Sequence, residues 1–449
     1  MSPGERPDAP ARFYLETLGC PKNAVDSDKV VGTLLDDGLR PAESAAVADL
    51  VVVNTCAFVE EARQESIDVT LALDEVRKPG SRLVVTGCLA ERAGDELADA
   101  LPEVDAVVGF AGEGSLAPVE FVSRPRGVRD LLELPRPAHP APWAYLKVAE
   151  GCDRQCAFCA IPSFRGTQRS RAPEAIEAEA RSLVESGVRE IVLVAQDIAW
   201  YGRDVGEPNS LEPLLRRLDR LRAHGLERLR LLYLYPSEVR DPLVSTMLEL
   251  DTTVPYFDLS LQHASAPLLR RMKRWGSGDR FLELVEGIRT DEPDASFRSS
   301  FIVGHPGETE TDHDTLLAFL SEARLDWAGF FPYSEEEGTA SADQGGVVEE
   351  SLVHRRLREL TGLQDPLTAA AREALVGREV RVLVDRVGND HSGGAAVART
   401  HREAPEIDGV ITLHDAALSA GDLADVRVTG AVGSDLEAEA LVAAGAGVA

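Results

Sequence analysis

The sequence predicts an α/β protein in three parts: a parallel α/β sheet domain, a partial (β/α)6 barrel and a small all-β barrel. Three observations carry this. Three β-rich runs at the start each end on a cysteine, six further β/α units follow between residues 144 and 334, and short strands joined by Gly and Asp turns occupy the end.

The bulk properties agree with a large soluble chain. At 449 residues it exceeds one ordinary domain, and 44% apolar residues supply core for several. No stretch approaches 18 apolar residues without a charge, so no membrane span is expected. The start, MSPGERPDAPARFYLE, lacks the apolar run of a secretory signal and reads as a disordered leader over residues 1–10. These features predict a cytoplasmic protein, where six cysteines serve as metal ligands or catalytic groups rather than disulfides. The net charge of −29 disfavours general affinity for nucleic acid phosphates. It fits either a uniformly acidic proteome or a basic macromolecular partner.

In the first part, expected over 11–123, RFYLETLGC ends at Cys20, DLVVVNTC at Cys56 and RLVVTGC at Cys88. Helical patterns follow the first two, about 24–37 and 59–77. Strands alternating with helices imply a parallel sheet, whose ligands bind beyond the strand carboxyl ends. All three cysteines are therefore expected on one rim. Pro-rich segments, SRPRG and LPRPAHPAPW, mark a linker over 124–142.

The central part, 143–371, holds six β-like runs: AYLKVAEG (144–151), EIVLVAQD (190–197), LRLLYLYP (229–236), PYFDLSLQH (255–263), SFRSSFIVG (296–304) and WAGFFPYS (327–334). Amphipathic stretches such as PEAIEAEARSLVESG separate most of them. Barrels of this kind carry active sites on loops at the strand carboxyl ends. A helical connector, VHRRLRELTGLQDPLTAAAREALVG, leads to the third part, 372–440, with strands expected in REVRVLVDRV, GVITLHD and DLADVRVTGAV. The terminal AEALVAAGAGVA reads as frayed, with the tail proper at 441–449.

EGCDRQCAFCAIPSFRG, residues 150–166, places Cys152, Cys156 and Cys159 where the first barrel strand stops. Crowded soft thiolates in C-x3-C-x2-C spacing suit an iron–sulfur cluster. Three cysteines leave one iron of a cubane without a protein ligand, an open position for substrate or cofactor. A zinc site completed by His263 or His305, or a structural knot of cysteines, are the alternatives.

That loop, after the first strand of a partial barrel, resembles the radical S-adenosylmethionine (SAM) superfamily. The resemblance implies that the amino and carboxylate groups of SAM chelate the open iron. Reduction then cleaves SAM to a 5′-deoxyadenosyl radical that abstracts hydrogen. It also implies that Phe158 lies near the adenine, unless it is a packing residue, and that Gly304 in IVGHPGE lies near SAM. Gln196 and Asp197, ending the second barrel strand, are candidate SAM contacts by position alone. Cys20, Cys56 and Cys88, on an α/β domain before such a barrel, resemble the second trio of the methylthiotransferases. In that family they hold an auxiliary 4Fe–4S cluster with its own open iron, and the third part corresponds to a TRAM domain. The resemblance covers roughly residues 11–440.

Two bacterial branches of that family compete. LGCPKNAVDSDKV, CAIPSFRG, VAQDIAWYG, PYFDLSLQHAS, FFPYSEEEGTA and APEIDG are similar to the branch that modifies an aspartate of ribosomal protein S-twelve. The alternative branch methylthiolates isopentenyl-adenosine in tRNA. Residues 377–449 contain six Arg, no Lys and twelve Asp or Glu, a net of −6. Such a module is ill suited to phosphates and suited to a basic ribosomal protein.

The implied reaction uses two SAM and two 4Fe–4S clusters. One SAM methylates sulfur at the auxiliary cluster; the other yields a radical that removes hydrogen from the aspartate β-carbon, which receives the methylthio group. No catalytic side chain beyond the cluster ligands is expected, because an unactivated C–H bond gives no proton to a base. The expected partners are the ribosomal protein or the small ribosomal subunit, and a reduced flavodoxin- or ferredoxin-like donor, with no membrane and no direct tRNA substrate. SFRGTQRSR (163–171), a basic run, is expected to hold the SAM carboxylate, the target aspartate or the donor, or to be a solvated loop. Six cysteines cannot supply the eight ligands of a two-cluster electron carrier, and a ribosome-binding module would leave open-iron loops without purpose.

Overall fold

A computed structural model describes residues 10–109, 131–388, 395–414 and 418–441. Residues 1–9 of the leader, the first part of the linker and the last eight residues of the tail lie outside the described residues. Among the described residues no helix is long and apolar enough to cross a membrane.

The first part is a five-stranded parallel sheet. Its elements are β1 (Arg12–Thr17), α1 (Pro21–Asp36), β2 (Arg40–Pro41), β3 (Leu50–Thr55), α2 (Glu60–Val76), β4 (Arg82–Gly87), α3 (Cys88–Ala100) and β5 (Ala106–Val108). The strand order is β2-β1-β3-β4-β5, every pair parallel. Leu50, Val51, Val52 and Val53 are fully buried, as a continuous apolar strand in a doubly covered parallel sheet requires. Two features depart from expectation. The edge strands β2 and β5 were too short to show a period, and a third helix starts on Cys88 itself. Gly94, with φ 29°, interrupts α3 and blurs its helical pattern.

Residues 131–142 are no free tether. Leu131, Leu132 and Leu134 are buried, Lys29 of α1 donates to the carbonyls of Leu132 and Leu134, and Arg136 pairs with Asp28 and Glu179.

The barrel opens with β6 (Trp143–Lys147), followed by β7 (Ala149–Glu150), α4 (Ile161–Arg165), β8 (Arg169–Ser170), α5 (Pro173–Glu185), β9 (Glu190–Val194), α6 (Leu211–Asp219) and β10 (Arg228–Leu231). It continues with α7 (Asp241–Glu249), β11 (Tyr256–Gln262), α8 (Ala266–Arg271), α9 (Gly278–Asp291), β12 (Ser296–Val303), α10 (Glu310–Ala323), β13 (Trp327–Pro332) and α11 (Glu350–Glu373). The six main strands run parallel as two groups, β6-β9-β10 and β11-β12-β13. Isolated parallel bridges, Leu229 to Thr253 and Leu234 to Leu259, join the groups. This is the expected six-unit partial barrel.

The third part is a closed barrel of β14 (Glu379–Val387), β15 (Ala396–Arg399), β16 (Ile411–Leu413), β17 (Leu423–Val432) and β18 (Asp435–Ala440), in the order β14-β15-β16-β18-β17. The stretch expected to fray is strand through Ala440, where Ala438 pairs with both Leu413 and Val428. Closure removes the exposed edge that a loose end would leave.

The loop 399–408 of this small barrel closes the amino-terminal end of the large one. Arg399 pairs with Glu190 at 3.0 Å, and Arg228 donates to the carbonyls of Arg399 and Thr400. Tyr256 Oη donates to Asp408 at 2.6 Å, Trp327 Nε1 to the Arg402 carbonyl at 2.7 Å, and Tyr145 Oη to the Pro405 carbonyl. Ala404 is fully buried in one cluster with Tyr145, Val192, Tyr256 and Trp327. Val25 of α1 joins that cluster beside Val194 and Leu232, near the carboxyl ends of their strands. The interior is thus filled from below by the third part and from above by the first.

Candidate functional site

Each cysteine of the first trio stands at the carboxyl end of a strand. Cys20 precedes α1, Cys56 follows β3 and Cys88 opens α3. The strand order reverses between β1 and β3, the switch point where open α/β sheets bind ligands. Gly19, with φ +90°, permits the close approach: a Cβ there would lie 2.7 Å from Cys56 Cβ and 2.8 Å from its Sγ. Asn23 ties the loops together, its Nδ2 donating to the carbonyls of Leu18 and Thr55, both at 2.9 Å.

The second trio occupies the loop after β7. The Cys152 amide donates to the Gly166 carbonyl, the Cys159 amide to the Cys156 carbonyl and the Ala157 amide to the Met272 carbonyl. The Arg154 amide approaches Cys152 Sγ at 3.4 Å, as does Arg274 Nη1 to Cys156 Sγ. Among the described residues, no three His, Cys, Asp or Glu side chains group tightly enough to share one ion. A four-iron cluster gives each cysteine a separate iron, and three thiolates on adjoining loops supply three of its four corners.

The donor set suits such a group. Burial pushes the Cys56 and Cys152 thiols up to about 11 and Cys159 up to about 12, and it raises Cys88 too. Burial works the same way on Cys20, but Lys22 and Arg165 outweigh it and draw that thiol below its ordinary value. The raised thiols shed their protons when a metal binds, which stabilises the thiolates.

Arg165, six residues after Cys159, reaches across to the first trio. Its Nε and Nη2 donate to Cys88 Sγ at 3.3 and 3.0 Å, and its Nη1 to Asp26 and Glu150 at 2.9 and 3.0 Å. Lys147 bonds Asp26 and, at 2.7 Å, Glu150, completing a buried quartet of two cations and two anions. Burial alone would raise the Glu150 carboxyl; Lys147 and Arg165 outweigh it and hold it well below the usual carboxylate range. A second set of contacts joins the first part to the barrel. Glu336, after β13, accepts from Arg63 of α2 at 2.5 Å and Arg92 of α3 at 2.6 Å. Ser334 Oγ receives the Glu60 amide, and the Ser341 amide donates to Ala157 inside the cysteine loop.

Beside the second trio, arginines and aromatics alternate. Arg203 lies 4.1 Å from the Trp200 ring centre, and Arg154 lies 3.9 Å from that ring and 3.8 Å from Tyr235. Arg274 completes the stack, 4.0 Å from Tyr235. Glu238 pairs with Arg154, Arg203 and Arg240, and Asp197 pairs with Arg154 at 2.7 Å.

The remaining sequence candidates land as follows. Gln196 is on the rim, its Nε2 donating to Glu150 at 2.8 Å. Phe158 packs against the main barrel core. Gly304 has φ +85°, and a Cβ there would meet Val353 of α11 at 2.5 Å; helix packing accounts for the glycine, and Glu308 takes its amide. Asp197 is buried and committed to Arg154. His305 bonds Ser341 Oγ at 2.8 Å, and His263 accepts the Ser265 amide. The solvated-loop reading of SFRGTQRSR does not describe Arg165 and Arg171. Both are buried, Arg171 against the Lys147 carbonyl and Glu179, because they lie between parts of the fold. Sequence reasoning missed Asn23, Glu150 and Glu336, although the first two sit within or beside the quoted cysteine motifs.

A six-strand parallel partial barrel with C-x3-C-x2-C on its first loop defines a radical SAM protein, and residues 146–320 match the Radical SAM superfamily. Residues 12–109 match the uncharacterized protein family UPF0004, and residues 376–441 the TRAM domain. The chain is 41% identical to the ribosomal protein uS12 methylthiotransferase RimO of Cutibacterium acnes, over 95% of this chain and 97% of that one. It is 42% identical to the protein of the same name from Salinispora tropica, over 99% of each. The chain belongs to the RimO family of ribosomal protein uS12 methylthiotransferases. In fold it is similar to the radical SAM methyltransferase TsrM of Kitasatospora setae, with TM-score 0.53 and 14% identity over 74% of this chain and 77% of that one.

Proposed function

We propose that Cys20, Cys56 and Cys88 hold an auxiliary 4Fe–4S cluster and that Cys152, Cys156 and Cys159 hold the cluster that binds SAM. The enzyme is a radical SAM methylthiotransferase that places a methylthio group on the β-carbon of an aspartate in ribosomal protein uS12. When bound, the second trio's cluster supplies reductive cleavage of SAM, and the first trio's cluster supplies the sulfur site.

The observation that supports the residue assignment is Arg165, which follows the second trio by six residues and donates to a cysteine of the first. Rooted four residues from the start of the helix that follows the second trio, it donates to Cys88 and ties that loop to the first part. Asn23 and Gly19 keep the first trio's loops in contact, while the Glu336 clasp holds the domain that bears them against the barrel. Gln196 and Glu150 supply polar groups on the barrel rim, where SAM would lie. Phe158 and Gly304 remain secondary candidates for SAM contact. The module limits follow the division at residues 11–123, 143–371 and 372–440, and the setting is the cytoplasm.

The anaerobically reconstituted protein, given SAM, a reductant and either a uS12 peptide or tRNA, tests the assignment. Addition of S–CH3 in place of hydrogen on the peptide aspartate is expected. Modification of the tRNA alone would overturn it.

A further inference from the structure

We infer that the surface hollow beside the Arg–aromatic stack is the docking site of an acidic, low-potential one-electron carrier protein. This rests on the radical SAM reading, which requires an external reductant.

The hollow has a volume of 370 Å³ and is lined by Pro236, Ser237, Val239, Arg240, Trp275 and neighbours. Trp275 is an exposed aromatic, 37% accessible, with Arg280 over its ring at 5.4 Å. Its amide donates to Tyr235 Oη at 3.3 Å. Tyr235 lies between Arg154 and Arg274, and those residues reach Cys152 and Cys156. A continuous line of contacts therefore runs from an open surface to the second trio.

Charge selects the partner. In a chain of net −29, residues 270–280 carry Arg270, Arg271, Lys273, Arg274 and Arg280 against Asp279 alone, a local +4. Arg240 and Arg203 add to that face; Glu238 and Asp241 oppose them, Glu238 being nearly buried and shared among three arginines. A basic ribosomal protein is repelled here and attracted elsewhere, whereas an acidic carrier is steered to this spot. An exposed tryptophan with an arginine over its ring is also the composition of an interface hot spot. On docking, one electron leaves the reduced carrier, which is oxidised by one equivalent, and passes to the site held by Cys152, Cys156 and Cys159.

The test uses the reconstituted holoenzyme and the Arg240→Glu/Arg280→Glu double variant, with a reduced acidic flavodoxin as probe. Both positions are exposed, and a glutamate in the first turn of α9 suits that helix, so folding is retained. The carrier's Kd is expected to rise about tenfold or more at low salt, with the difference shrinking as salt increases. Carrier-driven turnover falls in parallel, while dithionite-driven turnover and uS12-peptide affinity stay unchanged. Unchanged carrier affinity, or equal loss of the dithionite-driven reaction or of peptide binding, overturns the docking site. A wild-type enzyme inactive even with dithionite would instead sink the functional reading.

Discussion

Arg165 Nη2 lies 3.0 Å from Cys88 Sγ, so a side chain from one cysteine loop ends on a cysteine of the other domain. The same guanidinium neutralises Asp26 and Glu150, which come from those two domains.

Replacing it should separate them. Arg165→Met leaves two buried carboxylates sharing only Lys147, and loss of one partner of a buried ionic group costs about 3–5 kcal/mol. Denaturant unfolding should show a loss of that order, and iron bound at the first trio should fall. Arg165→Lys, which keeps the charge without the fork, should recover only part of it. A stability equal to wild type would contradict this account of the quartet.

Removing a ligand should be selective. Cys20→Ala should lower iron and sulfide to about half, since each cluster carries four irons, while SAM cleavage persists. Cys156→Ala should abolish SAM cleavage and spare the other cluster. Electron paramagnetic resonance of the reduced proteins distinguishes the two patterns.

Glu336 should couple the domains without touching the chemistry. Glu336→Gln leaves Arg63 and Arg92 without their shared carboxylate. Both arginines reach solvent, so the stability cost should be modest, about 1–3 kcal/mol. Methylthio transfer should fall more than SAM cleavage, a ratio read by quantifying 5′-deoxyadenosine against modified peptide.

Acid should weaken the contact between the third part and the large barrel. Burial works to raise the Glu190 carboxyl, but Arg230, Arg399 and Arg228 outweigh it and draw it down to about 2. His401, whose ring bonds the Asp294 carbonyl, is lowered by burial and by Arg402 to about 4. In both cases the unfolded chain takes up protons at a higher pH than the folded one. Stability from His401 is therefore present above about 6.5 and lost as pH falls toward 4; that from Glu190 is lost between about 4.5 and 2. Denaturant unfolding should show stability falling in those two windows, offset in part by Asp408, whose carboxyl burial pushes up to about 6. Glu190→Gln should remove the lower limb.

The legible parts of the fold were those with enough length to show a period. All six main barrel strands could be read from runs such as EIVLVAQD, but β2, β5 and β15 span two to four residues and carry no pattern. The cysteines could be placed on two rims because they follow strand ends. Arg165 could not, since its partners Cys88 and Asp26 lie 77 and 139 residues away and a basic run suggests a wet surface. Glu336 was hidden similarly in an acidic loop, where nothing in the sequence points to Arg63 and Arg92.

The stoppering of the large barrel by Val25 and Ala404 limits how the gene can be divided. A fragment holding only the SAM-binding part would be an open tube, with Tyr145, Tyr256 and Trp327 wet and Glu190 stripped of Arg399. Such a fragment should collect in inclusion bodies when expressed without the segments on either side of it.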